Sequence, residues 1–163
     1  MSELSTPITS ILFVCMGNIC RSPAGENVMR RLLHDAGLAD EVLCDSAGTI
    51  DYHVGEPPDS RMRAAGIKRG LPMTGAARQV TRADIDRFDL ILAMDHDNFT
   101  SLLRLSTEQN RHKIKRFCDY CRQHSELEVP DPYYGGPRGF EHVLDMLEDG
   151  CQQIVDEIKT RQV

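Results

Sequence analysis

Short apolar runs and stretches of helical periodicity alternate along the chain. The first run, ITSILFV at residues 8–14, is apolar and partly β-branched, which predicts a buried strand. Three later segments have the same character, and we expect strands there: 41–45, 88–94 and 113–117.

Helices are predicted between these strands. The segment after Arg21 has apolar residues at helical spacing as far as Ala36, with Ser22 suited to the N-cap, Pro23 to the first turn and Gly37 to the end. Further helical stretches are predicted at 59–68, 81–87 and 97–105, and a long last helix has an apolar stripe from 143 to 158.

Alternating strands and helices predict an α/β fold with a parallel sheet covered on both faces. Ligands of such sheets bind outside the carboxyl ends of the strands. The longest irregular segment, VPDPYYGGPRG at 129–139, is rich in proline and glycine. We expect it to be a functional surface loop.

Composition narrows the class of protein. A chain of 163 residues, 40% of them hydrophobic, fits one domain spanning 1–163, and we expect residues 1–7 to be flexible. The formal charge of −6 and the scattered basic residues argue against a nucleic-acid partner. The uncharged stretch 4–20 is too short and too interrupted to cross a membrane, and it does not resemble a signal peptide. A soluble cytoplasmic protein without membrane insertion is expected.

The six cysteines do not suggest a disulfide framework, because a core of this size needs no covalent staples and the cytosol keeps thiols reduced. We expect some of them to pack in the core and some to be reactive.

The string CMGNICRS at 15–22 follows the first strand and opens the first helix, where free backbone N–H groups and the helix dipole attract an anion. Gly17 and Asn18 tolerate left-handed backbone angles and allow the loop to curl. Arg21 adds a planar fork for two phosphate oxygens. The GK[ST] ending of a nucleotide-binding loop is absent, so a tetrahedral oxyanion suits the loop better than ATP.

Cys15 would lie at the base of this cradle, where the N–H groups, the helix dipole and Arg21 all favour the nucleophilic thiolate. Ser22 would donate a hydrogen bond to it while also capping the helix. A cysteine that ends a core strand is often only a packing residue, but the complete string favours the nucleophile. A phosphate ester also needs an acid for its leaving group. Asp131, held extended by the proline that follows it, is the candidate, and Tyr133 and Tyr134 would wall a slot for an aromatic ring.

From about Ile11 to Ile158 the sequence resembles the low-molecular-weight protein tyrosine phosphatases. The shared strings are CMGNICRSP, DSAGT at 45–49, HVG at 53–55, ARQV at 77–80, FDLILAMD at 88–95 and DPYYG at 131–135. The resemblance implies a three-layer, flavodoxin-like fold with a four-stranded parallel sheet. It also implies hydrolysis of phosphotyrosine in proteins, and of small aryl phosphates, without a metal or cofactor. Inorganic phosphate would be the product, and a tyrosine kinase is a possible partner.

The resemblance also implies residue roles. Cys15 is similar to the nucleophile that forms a phosphocysteine intermediate, Arg21 to the arginine that binds phosphate, and Asp131 to the general acid and base. The remaining matches form the phosphate-binding loop (Met16, Gly17, Asn18, Ile19, Cys20 and Ser22), its support (Ser46) and the walls of the substrate slot (Ile19, Tyr52, Tyr133 and Tyr134).

Two positions depart from the family pattern. Gly75 stands where some relatives have a histidine that supports the loop asparagine, so that support must be absent or come from elsewhere. Tyr52 stands where tryptophan is frequent, which keeps the slot aromatic but changes its rim. Cys20 matches the second loop cysteine of the family, and we expect it to capture oxidised Cys15 as a disulfide.

Four alternatives stay open. An arsenate reductase of the same fold passes a disulfide to two further cysteines, but the close pair CDYC at 118–121 has narrower spacing than those enzymes. A phosphoarginine phosphatase tends to have threonine at the position of Ile19. The segment 112–124 offers a possible zinc site (His112, Cys118, Cys121 and His124), although KIKRF is more typical of a strand. A non-catalytic phosphotyrosine-binding module is the fourth.

Overall fold

The computed structural model describes residues 6–162, with the side chains of residues 6–161. Four strands form one parallel sheet in the order β2-β1-β3-β4. In chain order the elements are β1 (Ser10–Cys15), α1 (Arg21–Asp35), β2 (Leu43–Gly48), α2 (Ser60–Lys68), α3 (Arg82–Arg87), β3 (Leu90–Ala93), α4 (His96–Leu105), β4 (Ile114–Arg116) and α5 (Pro137–Gln162). Two short 3-10 helices flank β4, at Arg111–Lys113 and Phe117–Tyr120.

Helices cover both faces of this sheet, and alternate residues of β1 show how. Ile11 and Phe13 point into a core that α1 and α5 complete. Leu12 and Val14 point into a second core on the other face, beneath α3 and α4. The predicted fold, a three-layer α/β sandwich with a four-stranded parallel sheet, is confirmed.

The order of the strands decides where a site can form. β1 lies inside the sheet, with Cys15 in register with Gly48 at the end of β2 and Val14 in register with Ala93 at the end of β3. All of these strands end on the same edge because they are parallel. The loop that follows Cys15 therefore opens at the crevice where ligands of such sheets bind.

The predicted elements are all present, with shifted ends. Asp59 and Thr81 are N-caps rather than helical residues, since their side chains accept bonds from the backbone N–H groups of Arg61 and Asp84. The last helix begins at Pro137, earlier than its apolar stripe indicated, because proline suits the first helical position. Gly37 adopts a φ of 76° directly after α1 and ends it as predicted.

Between residues 6 and 162, no helix combines the length and the apolar character needed to cross a bilayer. The prediction that residues 1–7 are flexible falls largely on residues 1–5, which lie outside the described part of the chain.

Candidate active site

The loop between β1 and α1 is held from outside by the segment that follows β2. The carbonyl oxygens of Cys15 and Met16 accept bonds from the N–H groups of Thr49 (2.9 Å) and Ile50 (3.1 Å). A Cβ atom on Gly48 would lie 2.6 Å from the Met16 carbonyl oxygen, so only glycine permits this approach. The first loop carbonyls are thus engaged away from the loop interior.

The curl of the loop depends on Asn18, which adopts the left-handed region with a φ of 58°. Gly17, the other residue expected to permit the curl, does not adopt a positive φ. Glycine at position 17 instead leaves room for a neighbouring side chain. A Cβ atom there would lie 3.0 Å from Cδ2 of His53, so the glycine admits this ring against the loop.

The Asn18 side chain is the hub of the loop, and it is buried. Its Nδ2 donates to the hydroxyls of Ser22 (2.8 Å) and Ser46 (3.0 Å), and its Oδ1 accepts from the backbone N–H of Arg78 (2.9 Å). The support that Gly75 cannot give therefore comes from the backbone of Arg78. The structure brings Ser46 to the position that the sequence predicted for it.

Cys15 is 2% exposed, and its sulfur faces Ser22. The distance from Sγ to the Ser22 hydroxyl is 3.0 Å, and the backbone N–H of Ser22 donates to the same sulfur at 3.4 Å. The predicted N-cap role of Ser22 is wrong: α1 begins at Arg21 with Cys20 as its N-cap, and no side chain caps it. The hydroxyl is engaged with the cysteine and with Asn18 instead.

A buried carboxylate supports the loop from behind. The Ser46 hydroxyl donates to Glu26 at 2.6 Å, and Glu26 is paired with Arg30 at 2.5 Å. Burial raises the pKa of Glu26, although the bonds from Ser46 and Arg30 oppose this effect. The polar chain therefore runs from the cysteine through Ser22, Asn18 and Ser46 to Glu26.

Arg78 is fixed by two carboxylates. Its guanidinium bonds Asp45 (3.0 Å) and Asp84 (2.9 Å), and Asp84 also caps α3 through Thr81. Because Arg78 presents its backbone N–H to Asn18, these ion pairs hold the phosphate loop indirectly.

Arg21 is 3% exposed and points toward the mouth of the loop. One nitrogen donates to Asp95 (2.6 Å) and to the carbonyl of Val129 (3.0 Å), and the other lies 3.7 Å from Asp131. Burial acts against the charged form, but the charge of Cys15 and the bond to Asp95 outweigh it, and the pKa of Arg21 is raised. Arg21 is thus a fixed cation, and its second nitrogen faces the cavity.

Asp131 lies beside the loop although it comes 110 positions after Arg21 in the sequence. The backbone N–H of Val129 donates to the carbonyl oxygen of Met94, the residue after β3, at 2.8 Å. This bond connects the segment before Asp131 to the sheet. The N–H of Tyr133 donates to Asp131 at 3.0 Å and orients the carboxylate. With its side chain 34% exposed, Asp131 faces both solvent and the cavity.

One cavity of about 240 Å³ joins these groups. Ile50 and His53 contribute to its lining. The other lining residues are the predicted catalytic and slot residues and three further residues of the phosphate-binding loop: Cys15, Met16, Gly17, Ile19, Cys20, Arg21, Tyr52, Asp131, Tyr133 and Tyr134. Tyr133 is 37% exposed, whereas Tyr52 and Tyr134 are 79% and 86% exposed and form an outer rim. The lining does not include Asn18, Ser22 and Ser46, which lie behind the cavity and support the phosphate-binding loop through their hydrogen bonds.

Several residues around this cavity were not predicted. His53 contacts the Tyr52 ring edge-on at 4.9 Å between centroids, and Arg61 lies over the Tyr133 ring at 5.0 Å. His53, Arg78 and Asp95 belong to strings that carry the family resemblance, which was the available signal. Glu26 gave no signal, because nothing local distinguishes it from a surface helical glutamate.

Cys20 is buried beside the cavity, with 4% exposure. Burial, with Asp59, Cys15 and Asp131 adding to it, raises the pKa of Cys20, so its neutral thiol is the stable form.

The alternative zinc site is not assembled. Among the residues that the structure describes, no three histidine, cysteine or acidic side chains are placed to share a metal ion. His124 is engaged with Asp149 at 2.8 Å, and Cys118 lies in a 3-10 helix that follows β4.

Comparison with known proteins identifies the family. Residues 10–163 match the sequence model of the low molecular weight phosphotyrosine protein phosphatases. A putative low molecular weight protein-tyrosine-phosphatase of Synechocystis is 52% identical over 91% of this chain and 95% of its own length. The human low molecular weight phosphotyrosine protein phosphatase is 39% identical over 96% of this chain and 99% of its own length.

Solved structures of related proteins have the same fold. A protein tyrosine phosphatase from Entamoeba histolytica, with Hepes in its active site, superimposes with a TM-score of 0.92 at 44% identity and covers 95% of this chain and 99% of its own. Bacillus subtilis YfkJ gives a TM-score of 0.89 at 38% identity and covers 97% and 99%. The chain belongs to the low molecular weight phosphotyrosine protein phosphatase family, and it is accordingly an enzyme of the phosphatase class.

Proposed function

We propose that this protein hydrolyses phosphotyrosine in proteins, and small aryl phosphates, through a phosphocysteine intermediate on Cys15. The observation that carries the proposal is the single cavity that joins Cys15, Arg21 and Asp131. A nucleophile, a fixed cation and an acid are the groups that transfer of a phosphoryl group from an aryl ester requires.

In the first step the Cys15 thiolate attacks phosphorus while the bond to the phenolic oxygen breaks. Protonated Asp131 delivers its proton to that oxygen, and tyrosine leaves as the neutral phenol. Arg21 and the backbone N–H groups of the loop bind the phosphoryl oxygens and stabilise the charge in the transition state.

In the second step Asp131, now ionised, removes a proton from water as the water attacks phosphocysteine. Inorganic phosphate leaves and the Cys15 thiolate is restored. The Ser22 hydroxyl, 3.0 Å from the sulfur, stabilises the thiolate as it departs. Neither step needs a metal ion or a cofactor.

The walls of the cavity support an aromatic substrate. Ile19 offers an apolar surface and Tyr133 an aromatic one, while Tyr52 and Tyr134 extend the rim for contacts with the rest of a protein substrate. We therefore favour phosphotyrosine-containing proteins over phosphoarginine or arsenate as substrates, and a tyrosine kinase is a candidate among those proteins. A thiol nucleophile requires a reducing compartment, and so we place the enzyme, as one domain spanning 1–163, in the cytoplasm.

The position of Cys20 supports a role in protecting Cys15 against irreversible oxidation. Peroxide would convert the Cys15 thiolate to sulfenic acid, and the Cys20 thiol would displace water from it to form a disulfide. Peptide mass mapping after peroxide treatment tests this role. A Cys15–Cys20 linkage that thiol reverses is expected, and recovery of activity without any such linkage would exclude it.

The proposed function is tested with phenyl phosphate and a phosphotyrosine peptide. Parent enzyme should hydrolyse both, while Cys15→Ser should bind phosphate and turn over neither. Cys44→Ser is the matched control, because this buried cysteine lies away from the cavity and should leave turnover unchanged. Turnover by Cys15→Ser at the parental rate would overturn the proposal.

A further inference from the structure

The pair Cys118 and Cys121 takes no part in the proposed reaction. It lies where the chain leaves β4, in the 3-10 helix Phe117–Tyr120 and at the residue that ends it. This helix packs against α5, and the Cys121 sulfur lies 3.6 Å from the carbonyl oxygen of Met146. The segment that follows leads to Asp131.

The backbone brings the two cysteines to bonding range. The N–H of Cys121 donates to the carbonyl of Cys118 at 3.1 Å, which closes a turn between them. Residues three apart in a 3-10 helix lie one turn from each other, about 6 Å along the axis. Disulfides span Cα separations of about 4.4 to 6.8 Å. The turn therefore matches the span of a disulfide without rearrangement of the sheet.

The side chains interact as a pair. The interaction between the two thiols lowers the pKa of Cys121, and the same interaction, together with burial, raises the pKa of Cys118. Cys118 is 8% exposed, whereas Cys121 is partly exposed. Cys121, the thiol whose pKa is lowered, is therefore also the more accessible one.

The other cysteines outside the loop are different. Cys44 and Cys151 are 2% and 0% exposed. Burial raises the pKa of Cys44 to about 12 and that of Cys151 well above its ordinary range. They are inert thiols, and they serve as internal references for the reactivity of the pair.

We propose that Cys118 and Cys121 form a second redox site, a dithiol that a peroxide closes to an intramolecular disulfide. Cys121 gives up its thiol proton and its sulfur attacks one oxygen of the peroxide. The O–O bond breaks, the departing hydroxide takes up a proton and leaves as the first water, and Cys121 becomes a sulfenic acid. The Cys118 sulfur then attacks the Cys121 sulfur, the S–O bond breaks, and the second water leaves. Two thiols and one hydrogen peroxide give one disulfide and two waters.

This site is independent of the cysteines of the phosphate loop and does not rest on the proposed function. Closing it would covalently fix the turn between β4 and the segment that carries Asp131. The dithiol would consume peroxide, and small thiols would restore it by exchange.

The sequence provides a direct assay. Trypsin cleaves after Arg116 and Arg122 and releases FCDYCR, which contains both cysteines and no other. Full-length protein is exposed to increasing hydrogen peroxide, alkylated under denaturing conditions and digested without reductant. At doses that leave Cys44 and Cys151 alkylated, FCDYCR should lose two hydrogen atoms in mass and resist alkylation. Dithiothreitol should restore two alkylation sites.

Two controls make the result specific. In Cys118→Ser the loss of two hydrogen atoms should disappear, and Cys121 should proceed to sulfinic acid. Because the folded turn holds the pair in place, closure should be about tenfold faster in folded protein than in guanidinium. The proposal is overturned if FCDYCR stays doubly alkylated until Cys44 and Cys151 are oxidised, or if closure is no faster in the folded chain.

Discussion

The hydroxyl of Ser22 lies 3.0 Å from the sulfur of Cys15 and accepts a bond from Asn18 Nδ2 at 2.8 Å. Because the asparagine supplies the proton of that second bond, the hydroxyl keeps its own proton to donate, and the sulfur at 3.0 Å is closer to it than the Ala47 carbonyl oxygen at 3.4 Å. The arrangement allows Ser22 to donate its proton to the sulfur of Cys15.

Ser22→Ala should therefore slow turnover more than it weakens binding. A hydrogen bond to a charged group contributes about 1.5 to 3 kcal/mol, so kcat should fall about 10-fold to 100-fold with little change in KM. Steady-state kinetics with an aryl phosphate measure both constants. A rise in KM at constant kcat would show that the hydroxyl serves substrate binding instead.

Asp131→Ala should make the rate depend on the leaving group. Without an acid, a phenol of high pKa departs slowly, whereas a nitrophenol departs readily as its anion. We expect kcat/KM to fall about 100-fold or more for phenyl phosphate and much less for p-nitrophenyl phosphate. An equal loss for both substrates would remove Asp131 from the role of acid.

Glu26 is expected to position the loop through Ser46 and Asn18. Glu26→Ala leaves the buried Ser46 hydroxyl without its acceptor, and we expect kcat to fall about tenfold. Glu26→Gln keeps an acceptor oxygen and should restore most of the loss. If both variants destabilise the fold equally and neither changes kcat, Glu26 supports the core alone.

The raised pKa of Glu26 also predicts a pH dependence of stability. A carboxyl whose pKa is higher in the folded chain favours folding in its protonated form. This contribution is present below the ordinary pKa of glutamate and is lost as pH rises through the raised value. The free energy of unfolding of the parent, minus that of Glu26→Gln, should fall with rising pH in this window. Urea titrations at a series of pH values measure the difference, and the opposite slope would contradict the assignment.

Much of the fold was predictable because it depends on local patterns. Between residues 6 and 162, the alternation of apolar runs with helical stripes indicated each strand and α-helix, and the bounds were shifted where caps such as Asp59 and the position of Pro137 decide them. The two short 3-10 helices beside β4 were not predicted. The string around Cys15 was equally informative, since a strand, a tight loop and a helix start are all contained in it.

What the sequence could not reveal depends on contacts between distant residues. Asp95 bonds Arg21 across 74 positions, and Arg78 bonds Asn18 across 60. The close approach of the His53 ring to Gly17 is likewise a contact that no local rule predicts. The role of Glu26 could not be predicted for the same reason, because its burial against Ser46 results from tertiary packing alone.

The central claim is that a phosphoryl group passes through Cys15, and the intermediate itself is the most direct test. Enzyme is mixed with an aryl phosphate, denatured within the first turnover and digested, and the phosphate is located by mass spectrometry. We predict phosphate on the sulfur of Cys15, together with a burst of phenol equal to the number of active sites. Phosphate on another residue, or turnover with neither a burst nor a phosphorylated Cys15, would contradict the account.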